Sequence, residues 1–304
     1  MTIAVVGSIN MDVTAYMYRL PKPGETLHGK DYIVGLGGKG ANQAVAARKL
    51  GSDVAFIGRI GADDFGKGAE RALAGYGLDL SLIRKDEDGA TGIAIINVGE
   101  GGENYISVVA GSNFRVDLSD VEKGRTALAK AKVLLLQLEV PLEASLAAAA
   151  IVRGAGGTVI LDPAPAKDLD PTVLTAVDII TPNESEAGLM LGWQPHTPEE
   201  GLKAAKELRA RGVKTAVVKL GGKGLAVAGD GIETILPAFK VTPIDTVAAG
   251  DSFNGGLAHA LEQGIGLEQA LRYAAACGAL STTKKGAAEA APTKAEVEAF
   301  IARA

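Results

Sequence analysis

The sequence predicts a layered α/β fold with a mostly parallel central sheet and a small β-sheet lid. Three observations carry this. Short, nearly continuous apolar runs alternate with stretches of helical period, the pattern of βαβ units whose strands are covered on both faces. Two pairs of β-rich segments occur with no helix between them. Glycine is abundant, 40 of 304 residues, against an average near ~7%, and the glycines cluster at the ends of the apolar runs.

Residues 3–7 (IAVVG), 54–58 (VAFIG), 133–138 (VLLLQL), 158–162 (TVILD), 178–181 (DIIT) and 215–220 (TAVVKL) read as core strands. Helix-period stretches lie between them at 41–50, 66–76, 142–153 and 199–211. The tail reads as helices at 252–263, 267–283 and 293–302, after a short strand at 245–247. Residues 13–19 with 32–35, and 91–98 with 105–109, read as extra strands. Gly99-Glu100-Gly101-Gly102 joins the second pair as a hairpin signal. These insertions, roughly 12–36 and 91–110, form the lid of a single domain spanning residues 1–304. No linker, low-complexity tract or internal repeat interrupts the chain.

The lid segments carry Tyr, Ile, Val and Met on a sheet too small to be stable alone. One face would look toward a ligand, so the other needs cover. A second copy of the same lid is the simplest cover, which predicts a two-fold homodimer.

Composition excludes several function classes. Lys plus Arg is 31 and Asp plus Glu 36, a net charge of −5. No basic block follows a nucleic-acid backbone, and no apolar run approaches the ~18 residues of a membrane span. The first twelve residues lack a basic n-region and meet an acid early, so a cytoplasmic location is expected. One cysteine, Cys277, allows no internal disulfide, and His28, His196 and His259 show no metal-ligand spacing. Cys277 reads as buried packing, the histidines as surface or loop residues, and Trp193 as packing or surface.

Two glycine motifs mislead. Gly35-Leu36-Gly37-Gly38-Lys39-Gly40 matches G-x-G-x-x-G, but it follows a lid strand rather than the first core strand, which weakens a dehydrogenase reading. Residues 61–68 nearly fit a P-loop, but Gly68 replaces the Mg²⁺-binding hydroxyl and Asp63 and Asp64 would repel phosphate. A loop capping the following helix is the better reading.

The remaining clusters fit together. Gly37-Gly38-Lys39-Gly40-Ala41-Asn42-Gln43 opens a helix where a ligand can approach the backbone closely, and Lys39 and Asn42 supply donors. Lys219, Leu220, Gly221, Gly222, Lys223 and Gly224 follow a core strand, where bare N–H groups can line a phosphate site. In residues 245–256 (DTVAAGDSFNGG) small residues run into a helix start carrying Asp251. Helix N-termini attract anions, so a carboxylate there is either an N-cap or a base beside a transferring phosphoryl group. Asp12 after the first strand, and Glu139 directly after VLLLQL, stand where open α/β sheets bind ligands. Glu186 is either a solvated acid in a first helical turn or part of a site.

These residues resemble the ribokinase-like carbohydrate kinase family. Gly7-Ser8-Ile9-Asn10-Met11-Asp12 and GGKGANQ resemble its first signature and residues 245–256 its second. Asn183-Glu184-Ser185-Glu186 resembles its N-x-x-E motif; Leu136-Gln137-Leu138-Glu139 and Lys284-Lys285-Gly286-Ala287 follow in order. The resemblance covers residues 2–303 and implies the layered α/β/α ribokinase-like fold. It also implies transfer of the γ-phosphate of ATP to the 5-hydroxyl of D-ribose. It places Asn10, Met11, Asp12, Gly38, Lys39, Gly40, Ala41, Asn42 and Glu139 at the sugar, with Asp251 as base and Ala248, Ala249 and Gly250 completing an anion hole. It places Asn183, the loop from Lys219 to Gly224, Gly250, Asp251 and Ala275 at the nucleotide, and Glu186 at Mg²⁺ through water. Asp245, Val247, Ser281, Lys284, Gly286 and Ala290 fall at a K⁺ site built largely of backbone carbonyls.

The chain departs from the family pattern at Ala275 (often a polar ring), Lys219 (often a smaller hydroxyl residue), Ala290 (often serine) and Ser281. Alternatives are a sister kinase for 2-deoxyribose or fructose and a non-catalytic sugar-binding regulator. Intact Gly250 and Asp251 weigh against the regulator.

Overall fold

The computed structural model describes residues 2–101, 103–167 and 169–303; Gly102, in the expected hairpin, lies outside them. The strands are β1 Ile3–Val6, β2 Asn10–Tyr16, β3 Asp31–Gly37, β4 Val54–Gly61, β5 Ile83–Asp86, β6 Gly92–Val98, β7 Asn104–Val109, β8 Val133–Leu136, β9 Thr158–Leu161, β10 Ile179–Ile180, β11 Thr215–Lys219, β12 Leu225–Gly229 and β13 Ile232–Leu236. The helices are α1 Lys39–Lys49, α2 Asp64–Gly75, α3 Leu118–Lys123, α4 Arg125–Leu128, α5 Leu142–Gly154, α6 Pro171–Ala176, α7 Glu184–Leu191, α8 Pro198–Ala210, α9 Ala249–Glu262, α10 Leu267–Ser281 and α11 Lys294–Ile301.

Nine strands form one sheet in the order β13-β12-β11-β10-β9-β8-β1-β4-β5. From β11 to β5 every pairing is parallel; β12 and β13 add an antiparallel edge. Side chains divide strictly by the two-residue period of a strand. Ala4, Val6, Leu134, Leu136, Val159 and Leu161 face one core with α5 and α8. Ile3, Val5, Val133, Leu135 and Ile160 face the other with α1, α9 and α10. Burial on both faces is why the core strands lack alternation. Leu50, Ala276, Cys277 and Val297 form a satellite core under α11.

The expected core strands are all present, within a few residues of their expected ends. Three features differ from the sequence reading. The edge strands β5, β12 and β13 were not expected; β12 (LAVAG) is a run of small apolar residues that a helix could equally carry. Residues 245–247 are not a strand but part of an irregular loop. There Ile244 and Asp245 donate their N–H groups to one carbonyl, that of Thr282. His259 is buried in α9, not on the surface, and its Nδ1 lies 2.8 Å from Ser52 Oγ. Burial pushes its imidazole below the usual histidine value.

The second sheet has the order β3-β2-β6-β7. β2 runs antiparallel to β3 and parallel to β6, with Asn10 opposite Gly37 and Gly92. Because only three residues separate β1 from β2, the small sheet grows directly out of the C-terminal edge of the main one. Its base is buried. Tyr32, Ile33, Tyr105, Ile106, Val108 and Val109 further out are more than half exposed. No helix among the described residues is long and apolar enough to cross a membrane.

Candidate active site

Strand β1 lies between β8 and β4, so the chain leaves it in opposite directions and opens a crevice at its C-terminal end. Five strand ends deliver polar residues there: Ser8 and Asn10 after β1, Gln137 and Glu139 after β8, Asp162 after β9, Asn183 after β10 and Lys219 at the end of β11.

The turn from β3 into α1 forms the floor. Gly38 has φ 85°, and a Cβ there would stand 2.8 Å from Asn10 N and 3.0 Å from Ser8 O. Only glycine fits both conditions. With this turn closed, Ser8 Oγ donates to Glu139 Oε2 at 2.5 Å and Lys39 N donates to the same oxygen at 3.0 Å. Glu139 Oε1 stays free of these bonds. Asn10 Oδ1 accepts from Asn113 Nδ2 at 2.7 Å, which leaves the Asn10 amide nitrogen available.

Asp251 is the third residue of α9 and is 5% exposed. It is not the N-cap; that place belongs to Ala248, in the left-handed region with φ 55°. Instead Asp251 Oδ2 accepts from Asn42 Nδ2 at 3.0 Å and Oδ1 from Gln43 Nε2 at 3.0 Å. Gln137 Nε2 donates to Gln43 Oε1 at 2.7 Å and fixes which way the Gln43 amide faces. The N–H groups of Gly250 and Asp251 find no acceptor among the described residues. A carboxylate held by two side-chain amides thus sits against two bare N–H groups at a helix N-terminus.

Buried acceptors line the crevice beside it. Asp12 Oδ1 and Asn42 Oδ1 are both buried and without a partner among the described residues. Burial, with Glu139, Glu289 and Asp251 nearby, pushes the Asp12 carboxyl up to about 6. Burial likewise pushes Asp251 up to about 6; Asp162 adds to this, while Lys39, Asn42 and Gln43 oppose it. Burial opposes the charge on Lys39, yet Asp251, Asp162, Glu139 and Glu186 together hold its ammonium above the usual lysine value.

This charge arrangement has a stability consequence. A carboxyl whose pKa is raised on folding contributes stability at low pH that is lost as pH rises through the folded value. For Asp12 the window runs from 3.8 to about 6. Asp12→Asn, isosteric and uncharged, is expected to raise the melting temperature of the ligand-free protein at pH 8 and to change it little at pH 4. A difference of that size corresponds to about 3 kcal/mol at pH 8. Equal melting curves for both proteins at pH 8 would contradict the assignment of Asp12 as a buried, unpaired charge.

On the opposite wall, Asn183 caps α7: its N and Nδ2 donate to the two oxygens of Glu186, while Asn183 Oδ1 accepts from Glu186 N. Burial and Asp162 push the Glu186 carboxyl up. Lys219 Nζ donates to Asp162 Oδ1 at 3.0 Å. In the following loop Leu220, Lys223 and Gly224 spend their N–H groups inside a tight turn, so the Gly221 and Gly222 amides are left without an acceptor among the described residues. Leu220 is core, and Lys223 Nζ pairs with Glu184 at 2.7 Å.

The structure therefore gathers Asn10, Asp12, Gly38, Lys39, Asn42, Glu139, Asn183, Glu186, Lys219, Gly250 and Asp251 around one crevice. Other expected positions serve the frame. Met11 is buried in the core near Gly68, and Ala41 is core. Gly40 packs on the Gly7–Ser8 backbone, where a Cβ would meet Gly7 C at 2.6 Å. Ala275 is half-buried on α10. Among the expected cation residues, Asp245 Oδ2 accepts from Gly286 N at 3.1 Å and Oδ1 from Val247 N at 3.0 Å, which brings the two segments together. The Lys284 side chain turns away to Glu296, Ser281 Oγ donates to Gly278 O, and Ala290 is buried without a polar atom to offer. The Asp63 carboxylate, in the false P-loop, accepts from Gly66 N and Thr91 Oγ1, as a capping residue does.

Sequence reasoning missed Ser8, Gln43, Asn113, Gln137 and Asp162. Asp162 carried a usable signal, because it ends a core strand as Glu139 does. Gln43 stood inside the GANQ run. Asn113 had none, since it comes from a turn after the small sheet.

The model for "pfkB family carbohydrate kinase" matches residues 2–294. Over 303 residues the chain is 41% identical to the ribokinase of Haemophilus influenzae, covering 100% of this chain and 99% of that protein. It is 35% identical to the deoxyribokinase of Salmonella typhimurium, with 96% of each covered. The structure of Arabidopsis thaliana ribokinase with ribose and ATP superposes with a TM-score of 0.89 at 35% identity, over 98% of both chains.

Proposed function

The chain belongs to the pfkB family of carbohydrate kinases, and from that premise we propose that it transfers the γ-phosphate of ATP to the 5-hydroxyl of D-ribose. One juxtaposition carries the reading. The buried Asp251 carboxylate, its two oxygens held by Asn42 and Gln43, stands against the bare N–H groups of α9 and beside the unpartnered acceptors of Asp12 and Asn42. Acceptors without donors call for a ligand rich in hydroxyls. Bare N–H groups at a helix start call for an anion.

In this mechanism Asp251 accepts the proton of the sugar's primary hydroxyl. That oxygen attacks the γ-phosphorus in line. The bond from phosphorus to the bridging oxygen breaks and ADP leaves with the electron pair. The N–H groups of Gly250 and Asp251 and the Lys39 ammonium stabilise the charge on the transferring group. Asp12, Asn42 Oδ1 and Glu139 Oε1 accept from the other hydroxyls. Asn183 and the loop at Gly221 and Gly222 face the nucleotide, and the small sheet acts as a lid that excludes competing water.

The donor set suits Mg²⁺ bound through water. No group of three or more His, Cys, Asp or Glu among the described residues forms a metal cage, and Mg²⁺ characteristically relies on one or two carboxylates, substrate phosphates and several waters. Glu186 is the carboxylate that fits, and the ion would neutralise phosphate charge. The segments tied by Asp245 suit K⁺, held by backbone carbonyls beside the loop into Ala248. Exchanging Na⁺ for K⁺ at constant ionic strength is expected to raise turnover; equal rates would remove this site.

The exposed apolar side chains of the small sheet support a homodimer in which two lids cover each other. Sedimentation is expected to give twice the chain mass at micromolar concentration, and a monomer would remove the pairing.

ADP release measured with ribose, 2-deoxyribose, fructose and adenosine tests the substrate. Ribose is expected to give the highest kcat/KM. The second reading, 2-deoxyribose, is supported by the Salmonella relative, and a clear preference for it would replace ribose.

A further inference from the structure

Lys219 and Asp162 form a buried pair that the mechanism above leaves without a role. Asp162 follows β9 and Lys219 ends β11, on either side of β10. The Lys219 side chain is 14% exposed and that of Asp162 3%, and Nζ lies 3.0 Å from Oδ1. The second Asp162 oxygen accepts from Gln43 Nε2 at 3.1 Å, the same nitrogen that donates to Asp251 Oδ1 at 3.0 Å. One amide therefore spans two carboxylates, one bearing an ammonium and the other not.

The ammonium also touches the start of α9. A Cβ on Gly250 would stand 3.2 Å from Lys219 Nζ, and the Gly250 N–H has no acceptor among the described residues. A cation against the positive end of a helix is a repulsive contact. The arrangement becomes favourable when an anion lies between the ammonium and the helix. A terminal phosphate is the anion the reaction brings there.

Asp251 is faced by Lys39 on α1, Asp162 after β9 and Asp12 on β2; Glu139 after β8 and Glu186 on α7 act on Lys39, and Lys219 on β11 pairs with Asp162. A Lys219 ammonium released from Asp162 has the Asp251 carboxylate as a neighbouring partner across Gln43. An ion pair there would lower the basicity of the group that must take the proton.

We propose that Asp162 is a positioning residue that holds the Lys219 ammonium at the N-terminus of α9, where it meets the terminal phosphate of bound ATP, and keeps it off the Asp251 carboxylate. This rests on the kinase reading, which the wild-type protein tests separately by binding ATP and phosphorylating ribose.

Titration calorimetry and pH-rate profiles on the full chain decide it. Lys219→Met is expected to weaken ATP binding by about 10- to 100-fold, the range for a lost hydrogen bond to a charged group, while ADP and ribose affinities stay near wild type. Asp162→Asn is expected to move the acid limb of kcat/KM to lower pH by about one unit or more, because a negative neighbour is lost and Lys219 reaches Asp251. If Lys219→Met does not fold with Asp162 left unpaired, the neutral double variant Asp162→Asn/Lys219→Met carries the ATP measurement. Wild-type affinity for ATP, or equal losses for ATP and ADP, overturns the placement of Lys219. An acid limb that stays in place in Asp162→Asn overturns the role of Asp162.

Discussion

Asp251→Asn is expected to bind ribose and to phosphorylate it at least about 10²-fold more slowly than the wild type, within the 10²–10⁴ range of general-base catalysis. The substitution keeps the size of the side chain and removes its ability to accept the proton. The surroundings can absorb it. Asn42 Oδ1 has no partner, so the Asn42 amide can turn over and accept where it now donates. Gln43 keeps its orientation because Gln137 holds Gln43 Oε1. A folded variant is therefore expected, with a melting temperature at pH 8 at or above that of the wild type, because the substitution also removes a carboxyl that burial pushes up to about 6. In the wild type, activity should rise as pH rises through about 6, since Asp251 must be ionised to act and its carboxyl is pushed up to about 6. The variant should lose that limb. Near-normal turnover in a folded variant would remove Asp251 as the base.

Loss of a carboxylate from the proposed sugar site is expected to act on one substrate only. Asp12→Ala or Glu139→Ala should weaken ribose binding by about 10- to 100-fold, equivalent to roughly 1.5–3 kcal/mol for a hydrogen bond to a charged group. ATP affinity should hardly change, because Asp12 on β2 and Glu139 after β8 come from other strands than Asn183 after β10 and Lys219 on β11. The two variants should differ in stability. Asp12→Ala removes a carboxylate whose buried Oδ1 has no donor among the described residues. Glu139→Ala leaves Ser8 Oγ and Lys39 N without their acceptor and loosens the turn at Gly38. Calorimetry with ribose and with ATP, set beside melting curves, separates these effects. Unchanged ribose affinity in both variants would overturn this map of the sugar site.

The core strands and the helices between them were legible because a strand covered on both faces must be apolar throughout, and that constraint acts residue by residue along the chain. The glycine-rich turn into α1 was legible for a similar reason: Gly38 adopts φ 85° against the Asn10 and Ser8 backbone, a demand that a side chain cannot meet. Glu139 and Asp12 were singled out from their positions after core strands, and the same rule reaches Asp162. Edge strands were poorly legible, since β5 and β13 have one neighbour each and their residues follow no full alternation.

By itself the sequence determined the layered sheet, the order of its elements and the residue types that gather at the C-terminal edge, because local periodicity and backbone sterics are written in consecutive residues. Only the tertiary structure decided where the Asp251 carboxylate stands and what holds it. Its neighbours in the chain allow an N-cap, but Ala248 takes that place, and Asn42 and Gln43, more than 200 residues away in sequence, hold its two oxygens. The same holds for the Lys219–Asp162 pair and for the unpartnered acceptors of Asp12 and Asn42. Burial and the distance between charges set the chemistry of such groups, and both are properties of packing between distant segments rather than of any stretch of sequence.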